Sequence, residues 1–128
     1  MSQIPESVRM AAAQQAEAMR SELAGVVAVV IATVDGFDIA SAVTRGIDPA
    51  RAAAMASSIS AIGSVVSKEA GLGQSRSVTI NTDAGFACLS TVYRSDIHLI
   101  VNVIANGDAV LGQVAWRSAE CVKALEAE

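Results

Sequence analysis

The sequence predicts an α/β fold of the α+β type, in which one antiparallel sheet carries helices on both faces. Its apolar patterns order the chain as helix, two strands, helix, three strands and helix. Short turns between consecutive strands favour an antiparallel sheet. Because strands are apolar on both sides, each face of the sheet needs a layer of helices. The length of 128 residues corresponds to one domain, residues 1–128.

The first helix is predicted over residues 6–23. Pro5 suits its first turn, and Gly25 is a typical stop. Apolar residues recur at steps of three and four, at Val8, Ala12, Ala16, Met19 and Leu23. This spacing indicates an amphipathic helix with one face on the core.

A β-hairpin is predicted after this helix. Residues 26–34 are rich in β-branched side chains and too short for a typical amphipathic helix, so they predict a strand buried on both faces. Asp35-Gly36 favours a tight turn, because glycine tolerates a positive φ. Residues 37–44 alternate in polarity and predict the second strand.

A long middle helix is predicted from Asp48 to residue 69 or 70. Asp48 is a favourable N-cap, and Pro49 fits the first helical position. Gly71 suits the left-handed residue that ends a helix, with Leu72 placed for the accompanying hydrophobic contact.

Three strands and a last helix complete the chain. The strands are predicted over residues 77–82, 86–93 and 97–104, separated by turns rich in Asp, Gly and Ser. Asp108 is predicted to cap a last helix over residues 109–126.

The middle helix lacks the charged outer face of an ordinary surface helix, since no charged residue occurs between Ala52 and Ser67. A helical wheel predicts a core stripe at Ala52, Met55, Ala56, Ile59, Ile62, Gly63 and Val66. The opposite side holds mostly small residues, Ala50, Ala54, Ser57, Ala61, Ser64, Val65 and Lys68. Small side chains let two helices approach closely.

The side of the middle helix that carries small residues predicts a homodimer. We expect the middle helix to pack against the same helix of another copy, because two-fold pairs are the commonest assemblies. The strand 77–82, with Val78 and Ile80 alternating with polar residues, is predicted to be a sheet edge that pairs with its symmetry mate. The alternative is that alanine and serine are merely tolerated on this side as weakly hydrophobic fillers.

Composition excludes several classes of protein. The chain has 25 alanines and 14 serines, only 17% charged residues, 3% aromatic residues and a net charge of −4. Nucleic-acid binding requires clustered Lys or Arg and aromatic stacking platforms, which this sequence lacks. Its longest apolar run, residues 23–32, is far short of the ~20 residues that cross a bilayer. We expect a cytoplasmic protein without membrane insertion.

The sequence offers little for catalysis. The single histidine, His98, lies in a strand without a recognisable nucleophile motif, and a structural role is favoured over that of a general base. Cys88 and Cys121 are too far apart for a CxxC motif and are predicted to be small buried hydrophobes. We therefore expect no catalytic residue, metal or cofactor. Trp116 fits either the core or a partner contact.

Several short motifs, taken in their order along the chain, resemble those of the roadblock family, the dynein-light-chain-type domain. The resemblance covers almost the whole chain. The residues that carry it are 25–27 at the entry to the first strand, the hairpin 34–41, the helical segment 53–56, Gly71-Leu72-Gly73, the turn 82–86 and Leu111-Gly112.

The resemblance implies a profilin-like five-stranded sheet of order 2-1-5-4-3, with the long helix on one face and the terminal helices on the other. It implies a homodimer through the middle helix and third strand that regulates a small Ras-like GTPase. Bacterial family members of this kind stimulate GTP hydrolysis without an arginine finger. Candidate partner contacts are Arg45, Arg51, Lys68 and Trp116.

Two other functions stay open at this stage. One is a non-catalytic scaffold or adaptor subunit of a signalling or motor-type complex, which the same family includes. The other is a small-molecule sensor, which is disfavoured because bulky apolar residues on both sheet faces are expected to leave no polar pocket.

Overall fold

A computed structural model describes residues 4–44 and 46–128. Its elements follow the predicted order, and their boundaries agree with the predicted ones to within two residues. They are α1 (Glu6–Glu22), β1 (Val26–Thr33), β2 (Asp38–Val43), α2 (Pro49–Glu69), β3 (Ser77–Thr82), β4 (Gly85–Tyr93), β5 (His98–Asn106) and α3 (Leu111–Glu126).

The five strands form one antiparallel sheet in the order β2-β1-β5-β4-β3. This is the order that the roadblock resemblance implies. The two central strands, β1 and β5, come from opposite halves of the chain, with Val29 opposite Val103. β2 and β3 are the two outer strands of the sheet.

Helices cover both faces of the sheet. On the first face, which we call the helix-pair face, α1 and α3 pack on apolar side chains that include Val29, Ile31, Val101 and Val103. On the second, the α2 face, Val30, Ala32, Leu89 and Ile100 lie beneath α2. Because successive side chains of a strand point to opposite faces of the sheet, β1 and β5 each contribute side chains to both faces. Both sets of side chains are buried. The predicted two-sided burial of the first strand is confirmed.

Local hydrogen bonds fix both ends of α2. The Asp48 side chain accepts a hydrogen bond from the Ala50 N–H at 3.0 Å, and Pro49 opens the helix as predicted. At the other end Gly71 has a φ of +67°, and the Leu72 N–H donates to the Ser67 carbonyl at 2.8 Å. The predicted hydrophobic contact of Leu72 is wrong, because this side chain is 74% exposed.

The start of α3 differs from the prediction. Asp108 does not cap the helix, which begins at Leu111 after Val110 without a side-chain cap. Instead, the Asp108 N–H donates to the Asn106 side-chain oxygen at 2.9 Å. The aspartate therefore lies inside the turn that follows β5, too early in the chain to reach the first helical N–H groups.

Arg94 ties the end of α3 to the turn between β4 and β5. Its guanidinium donates to the carbonyls of Leu125 at 2.5 Å and Glu128 at 2.9 Å. The same group donates to Asp96 at 2.8 Å, and this hydrogen bond lowers the pKa of the Asp96 carboxyl. A cation at these last carbonyls also opposes the negative end of the helix dipole.

Candidate interaction surface

Small side chains bring α2 close to the sheet. The buried residues of the helix are Ala52, Ala53 and Ala56, and they pack on Val30, Leu89 and their neighbours. Further along, Gly63 faces β3. Because none of these side chains extends beyond a methyl group, the helix axis lies near the strands.

Apart from Ile59, which packs beside Leu89 and Ile100, the larger apolar side chains of α2 point away from the sheet. We call this set the α2 ridge: Met55, Ile62, Val65 and Val66, continued after the helix by Leu72. Their exposed fractions are 54, 64, 60, 58 and 74% respectively. Four exposed aliphatic or thioether side chains on one helix, with a leucine beyond them, are unusual on a surface that meets only water.

Part of the predicted core stripe of α2 lies on the exposed ridge instead. Met55, Ile62 and Val66 were expected to lie on the core, and all three are more than half exposed. Ala53, expected on neither face, is fully buried instead. Ala52, Ala56 and Ile59 of the predicted stripe do face the sheet. The prediction is therefore wrong at Met55, Ile62 and Val66, because the helix is rotated about its axis toward Ala53.

The residues predicted to face a second copy lie mostly at the surface. Ala50, Ala54, Ala61, Ser64, Val65 and Lys68 are exposed. Ser57 is half-buried, and its hydroxyl donates to the Val34 carbonyl at 2.5 Å, which anchors α2 to the β1–β2 turn. Together with the ridge, these residues make an outer surface that carries no charge over residues 52–67.

Charged side chains stand at the two ends of this surface. Arg51 is exposed near the start of α2, and Lys68 and Glu69 are exposed near its end. Arg45, the other predicted partner contact, lies outside the described residues. The arrangement of an apolar centre with a charged rim is typical of protein–protein interfaces.

β3 extends the same surface to the edge of the sheet. Within the described part of the chain, its only strand partner is β4. Val78 is half-buried, with its Cγ2 atom close against Gly63, and Ile80 is 37% exposed. α2 therefore contacts β3 at Gly63, and the outer edge of β3 has no strand partner in the part of the chain that the structure describes. Such an edge can pair with another strand.

His98 lies elsewhere, at the rim of a cavity of about 250 Å³ next to α2. Its ring packs edge-to-face on Tyr93, with 5.1 Å between the ring centres. The Tyr93 hydroxyl donates to the Ser75 carbonyl at 2.6 Å. This packing agrees with the structural role expected of the histidine.

A second, larger groove of about 420 Å³ runs between β3, β4 and α3 on the helix-pair face. Hydroxyl side chains line its floor, among them Ser77, Thr79 and Ser90. The expectation that bulky apolar residues leave no polar pocket therefore does not hold here. The groove exists because α3 covers β4 but not β3, which is a geometry that the sequence pattern alone does not specify.

Trp116 is on the surface. It is 67% exposed on α3, beside Leu23 and Arg117. Arg117 is held in place by Glu22 at 3.0 Å and Gln15 at 2.9 Å. Of the two roles left open by the sequence, the core role is excluded, and an exposed tryptophan next to a fixed arginine fits a partner contact.

Groups able to bind metals or act as nucleophiles are sparse. No group of three or more His, Cys, Asp or Glu side chains able to hold a metal occurs among residues 4–44 and 46–128. Cys88 and Cys121 are both buried and reduced, as predicted. Burial raises the pKa of the Cys121 thiol to about 12. In the same described ranges, no helix is both long and apolar enough to span a bilayer.

Comparison with known proteins identifies the fold. No family model and no curated protein sequence matches the chain. Solved structures match over nearly the full length. A roadblock/LC7 domain from Streptomyces avermitilis superposes with a TM-score of 0.79 at 20% identity, covering 90% of this chain and 94% of that one.

Two structures of MglB superpose equally well. MglB of Myxococcus xanthus gives a TM-score of 0.78 at 16% identity, over 99% of this chain and 92% of that one. The gliding protein MglB of Thermus thermophilus gives 0.82 at 13% identity, over 97% and 92%. The chain thus has the roadblock/LC7 fold, which confirms the resemblance found in the sequence.

Proposed function

We propose that this chain is a homodimeric regulator of a small Ras-like GTPase in the cytoplasm. The observation that carries the proposal is the exposed, uncharged α2 ridge, on a helix that also packs against the edge strand β3. Full burial of an exposed aliphatic side chain stabilises by roughly 1.5–3 kcal/mol. Because Ile62, Val65, Val66 and Leu72 are 58–74% exposed, a partner that covered them would gain a part of that free energy for each. A second copy supplies a surface of the same chemistry.

The dimer places two α2 helices side by side around a two-fold axis. The residues predicted from the sequence, such as Ala54, Ala61 and Val65, allow the helices to approach closely, and Met55, Ile62 and Val66 supply the apolar area. Val78 and Ile80 extend the contact along β3. Interfaces between permanent partners resemble a domain core in their apolar character.

The GTPase is proposed to bind at the ends of this surface. Two lines of argument support it: the sequence resemblance to GTPase regulators of the roadblock family, and the fold shared with two MglB structures. The proposed contacts are the exposed cations Arg51 and Lys68, together with Arg45, and the exposed Trp116 on the other face. In this proposal the chain stimulates hydrolysis by repositioning the GTPase's own residues, without an arginine finger.

The dimer is tested by light scattering after size-exclusion chromatography. A homodimer has twice the chain mass of 13.1 kDa, whereas a mass of one chain at micromolar concentration would refute the dimer.

The regulatory role is tested with the small Ras-like GTPases of the source organism. Each is mixed with the protein in its GDP state and with a non-hydrolysable GTP analogue, and binding is measured. GTP turnover is then compared with and without the protein. Binding that depends on the nucleotide, with faster turnover, is the expected result. Absence of binding in both states contradicts the proposal.

The second candidate is a scaffold or adaptor subunit. It is favoured by the absence of a catalytic constellation around His98 in the residues that the structure describes, and it shares the same interface. Binding without any change in GTP turnover would identify this function instead.

A further inference from the structure

We infer that the groove between β3, β4 and α3 is a binding site for a small hydroxylated anion, such as a sugar acid or a sugar phosphate. This function goes beyond the proposed regulation of a GTPase and does not depend on it. The groove opens on the helix-pair face, whereas α2 lies on the opposite face of the sheet. Val78 and Ile80, which β3 contributes to the proposed dimer, alternate with the groove residues and so point to the α2 face.

The floor of the groove is lined with hydroxyl groups. Ser77 and Thr79 of β3 are exposed, and Ser90 of β4 lies opposite Ser77 on the same face of the sheet. Ser90 is only 7% exposed, and no described residue forms a hydrogen bond with its hydroxyl. In folded proteins, most buried polar side chains have a hydrogen-bond partner. The partner of Ser90 therefore comes from the groove, as water or as a hydroxyl of a bound molecule.

One wall of the groove is apolar. Ala115, Ala119 and Val122 follow one another on α3 at steps of four and three residues, so they share one side of the helix. Together with the hydroxyl floor, this wall suits a molecule that has a polar and an apolar side. An alkyl chain would leave the hydroxyls of the floor without partners, which is unfavourable. A carbon chain that carries its own hydroxyls, as in a sugar, satisfies both surfaces.

Charged side chains line one end of the groove. The Thr91 N–H donates to the Arg76 carbonyl at 3.0 Å, so Arg76 lies beside the last residues of β4. At the same end of β4, the Tyr93 N–H donates to the Glu126 carboxylate at 3.3 Å. Lys123, one turn before Glu126, also lines the groove. The lining thus holds two cations and one carboxylate, in a chain whose net charge is −4.

Arg76 is the cation available to a bound anion. Lys123 already pairs with Glu120, at 3.4 Å between the ammonium nitrogen and the carboxylate. Arg76 is exposed and forms no ion pair with another described residue. A guanidinium binds a carboxylate or a phosphate through two parallel hydrogen bonds. The charged end of the groove therefore favours an anion, and the floor favours one that carries hydroxyls.

The volume of the groove fits a molecule of this kind. It is about 420 Å³, and small-molecule sites commonly span about 300–1,000 Å³. Because α3 does not cover β3, the groove is open along that strand. We therefore expect affinities in the millimolar range for simple probes.

Two matched pairs of probes test the inference by NMR titration of the isotope-labelled protein. D-Gluconate is compared with D-sorbitol, which has the same carbon chain but no carboxylate. D-Glucose 6-phosphate is compared with D-glucose. The amide resonances of Thr79, Ser90 and Thr91 should shift, and the anion of at least one pair should bind at least tenfold more tightly than its neutral partner. Which pair does so distinguishes a sugar acid from a sugar phosphate.

Charge-removing variants test the role of Arg76. Arg76→Gln should weaken binding of the anion at least tenfold, to the level of its neutral partner. Arg9→Gln is the matched control, because it removes an exposed cation from α1 and changes the net charge equally. This control should bind the anion as the wild-type protein does.

A bulky substitution tests the location of the site. Ala119 is exposed on the wall of the groove, so Ala119→Leu should fill the groove without disturbing the core and abolish binding. Ala13→Leu places the same side chain at an exposed position of α1 and should have no effect. Circular dichroism checks that both variants fold.

Three results would overturn the inference. Equal binding of an anion and its neutral partner in both pairs would show that the groove does not select charge. Binding that survives Ala119→Leu would place the probe elsewhere. No binding of either anion to the folded protein would show that the groove holds only water. Because the dimer and GTP turnover are measured separately, each of these results leaves the proposed function standing.

Discussion

A methyl group added to Gly63 on α2 would lie 2.8 Å from the Cγ2 atom of Val78 on β3, closer than two carbon atoms can approach without displacement. The missing side chain is what allows the helix to lie against the edge strand. It is also a point of contact between α2 and the edge strand β3.

The first prediction is that Gly63→Ala destabilises the protein. Overpacking costs about 1–3 kcal/mol, and it opposes a gain of up to about 1 kcal/mol from the higher helix propensity of alanine. We expect a net loss of about 1 kcal/mol in the free energy of unfolding, measured by chemical denaturation. Shortening the neighbour in the double variant with Val78→Ala should make the two effects less than additive.

Gly112 on α3 is the matched control for this substitution. It is also helical, but nothing lies within 4 Å of a methyl group placed there. Gly112→Ala should be neutral or stabilising. Equal effects at the two glycines would mean that the close approach to Val78 is unimportant.

The second prediction concerns the α2 ridge. Ile62→Glu should shift the protein from dimer to monomer, because a buried carboxylate without a partner is strongly unfavourable at an apolar interface. The side chain is 64% exposed in one chain, so the substitution should leave the fold intact. Light scattering measures the mass, and circular dichroism checks the fold.

Met10→Glu serves as the comparison for Ile62→Glu. Met10 is 56% exposed on α1, on the other side of the sheet. This variant should remain a dimer. If both variants stayed dimeric, the ridge would not be the interface.

The third prediction is that Trp116 contributes little to stability. Trp116→Ala should change the free energy of unfolding by less than about 1 kcal/mol, since costs of about 3–5 kcal/mol for removing tryptophan apply to buried sites. Val114, two residues earlier on the same helix, is 1% exposed, and Val114→Ala should cost more despite its smaller side chain. A large loss at Trp116 would indicate that the indole is buried in solution.

Trp116 is also the only tryptophan in the chain, so its fluorescence reports on one site. If it contacts the GTPase, its emission should shift toward shorter wavelengths on binding. An unchanged spectrum in a complex formed at saturation would remove Trp116 from the proposed contacts.

The fourth prediction concerns pH. Burial raises the pKa of Cys121 to about 12 from an ordinary value of 9.0. Between these values the unfolded chain releases the thiol proton and the folded chain keeps it, so alkali favours unfolding. This contribution to stability is constant below pH 9 and declines above it, by at most about 1.4 kcal/mol per pH unit.

Comparison with Cys121→Ala isolates this effect from other groups that titrate in alkali. At pH 7 the wild-type protein should be the more stable, because the variant leaves a small cavity in the core. The difference in the free energy of unfolding should shrink as the pH rises from 9 to 10.5. A difference independent of pH would show that Cys121 ionises equally in both states.

Most of the secondary structure could be predicted from the sequence because its limits are set by local chemistry. Asp48-Pro49 and Gly71 determine the ends of α2 through groups within a few residues of each other. The place of Asp108 was harder to predict, since an aspartate before a helix serves equally well in a turn or as a cap. The neighbouring Asn106 decides between these by accepting the Asp108 N–H.

The strand order has no local signal. Nothing in the residues of β1 designates β5 as its neighbour, and the order 2-1-5-4-3 came from the family resemblance alone. The edge position of β3 was easier to recognise than that of β2, because polar Ser77, Thr79 and Asn81 alternate along it, which is typical of a strand with one exposed face.

The candidate surface was located on the correct helix, but three residues of the predicted core stripe, Met55, Ile62 and Val66, belong to the surface instead. Residues 52–67 have no charged side to mark the solvent, so a helical wheel does not fix the phase. We assigned the larger side chains, such as Met55 and Ile62, to the core. In the structure, Ala52, Ala53 and Ala56 occupy it because short side chains allow closer packing. Gly63 was the available signal, since a glycine inside a helix often marks a close neighbour.

The pairing of β1 with β5 at the centre of the sheet has a consequence for biosynthesis. Val29 cannot meet Val103 until the ribosome has synthesised β5 and released it from the exit tunnel. Before then the nascent polypeptide holds two separate hairpins, β1–β2 and β3–β4, and isolated hairpins are at best marginally stable. Formation of the whole sheet therefore waits for β5, the strand that joins the two hairpins. Truncation just before His98 would leave β1 and β4 without the strand that lies between them.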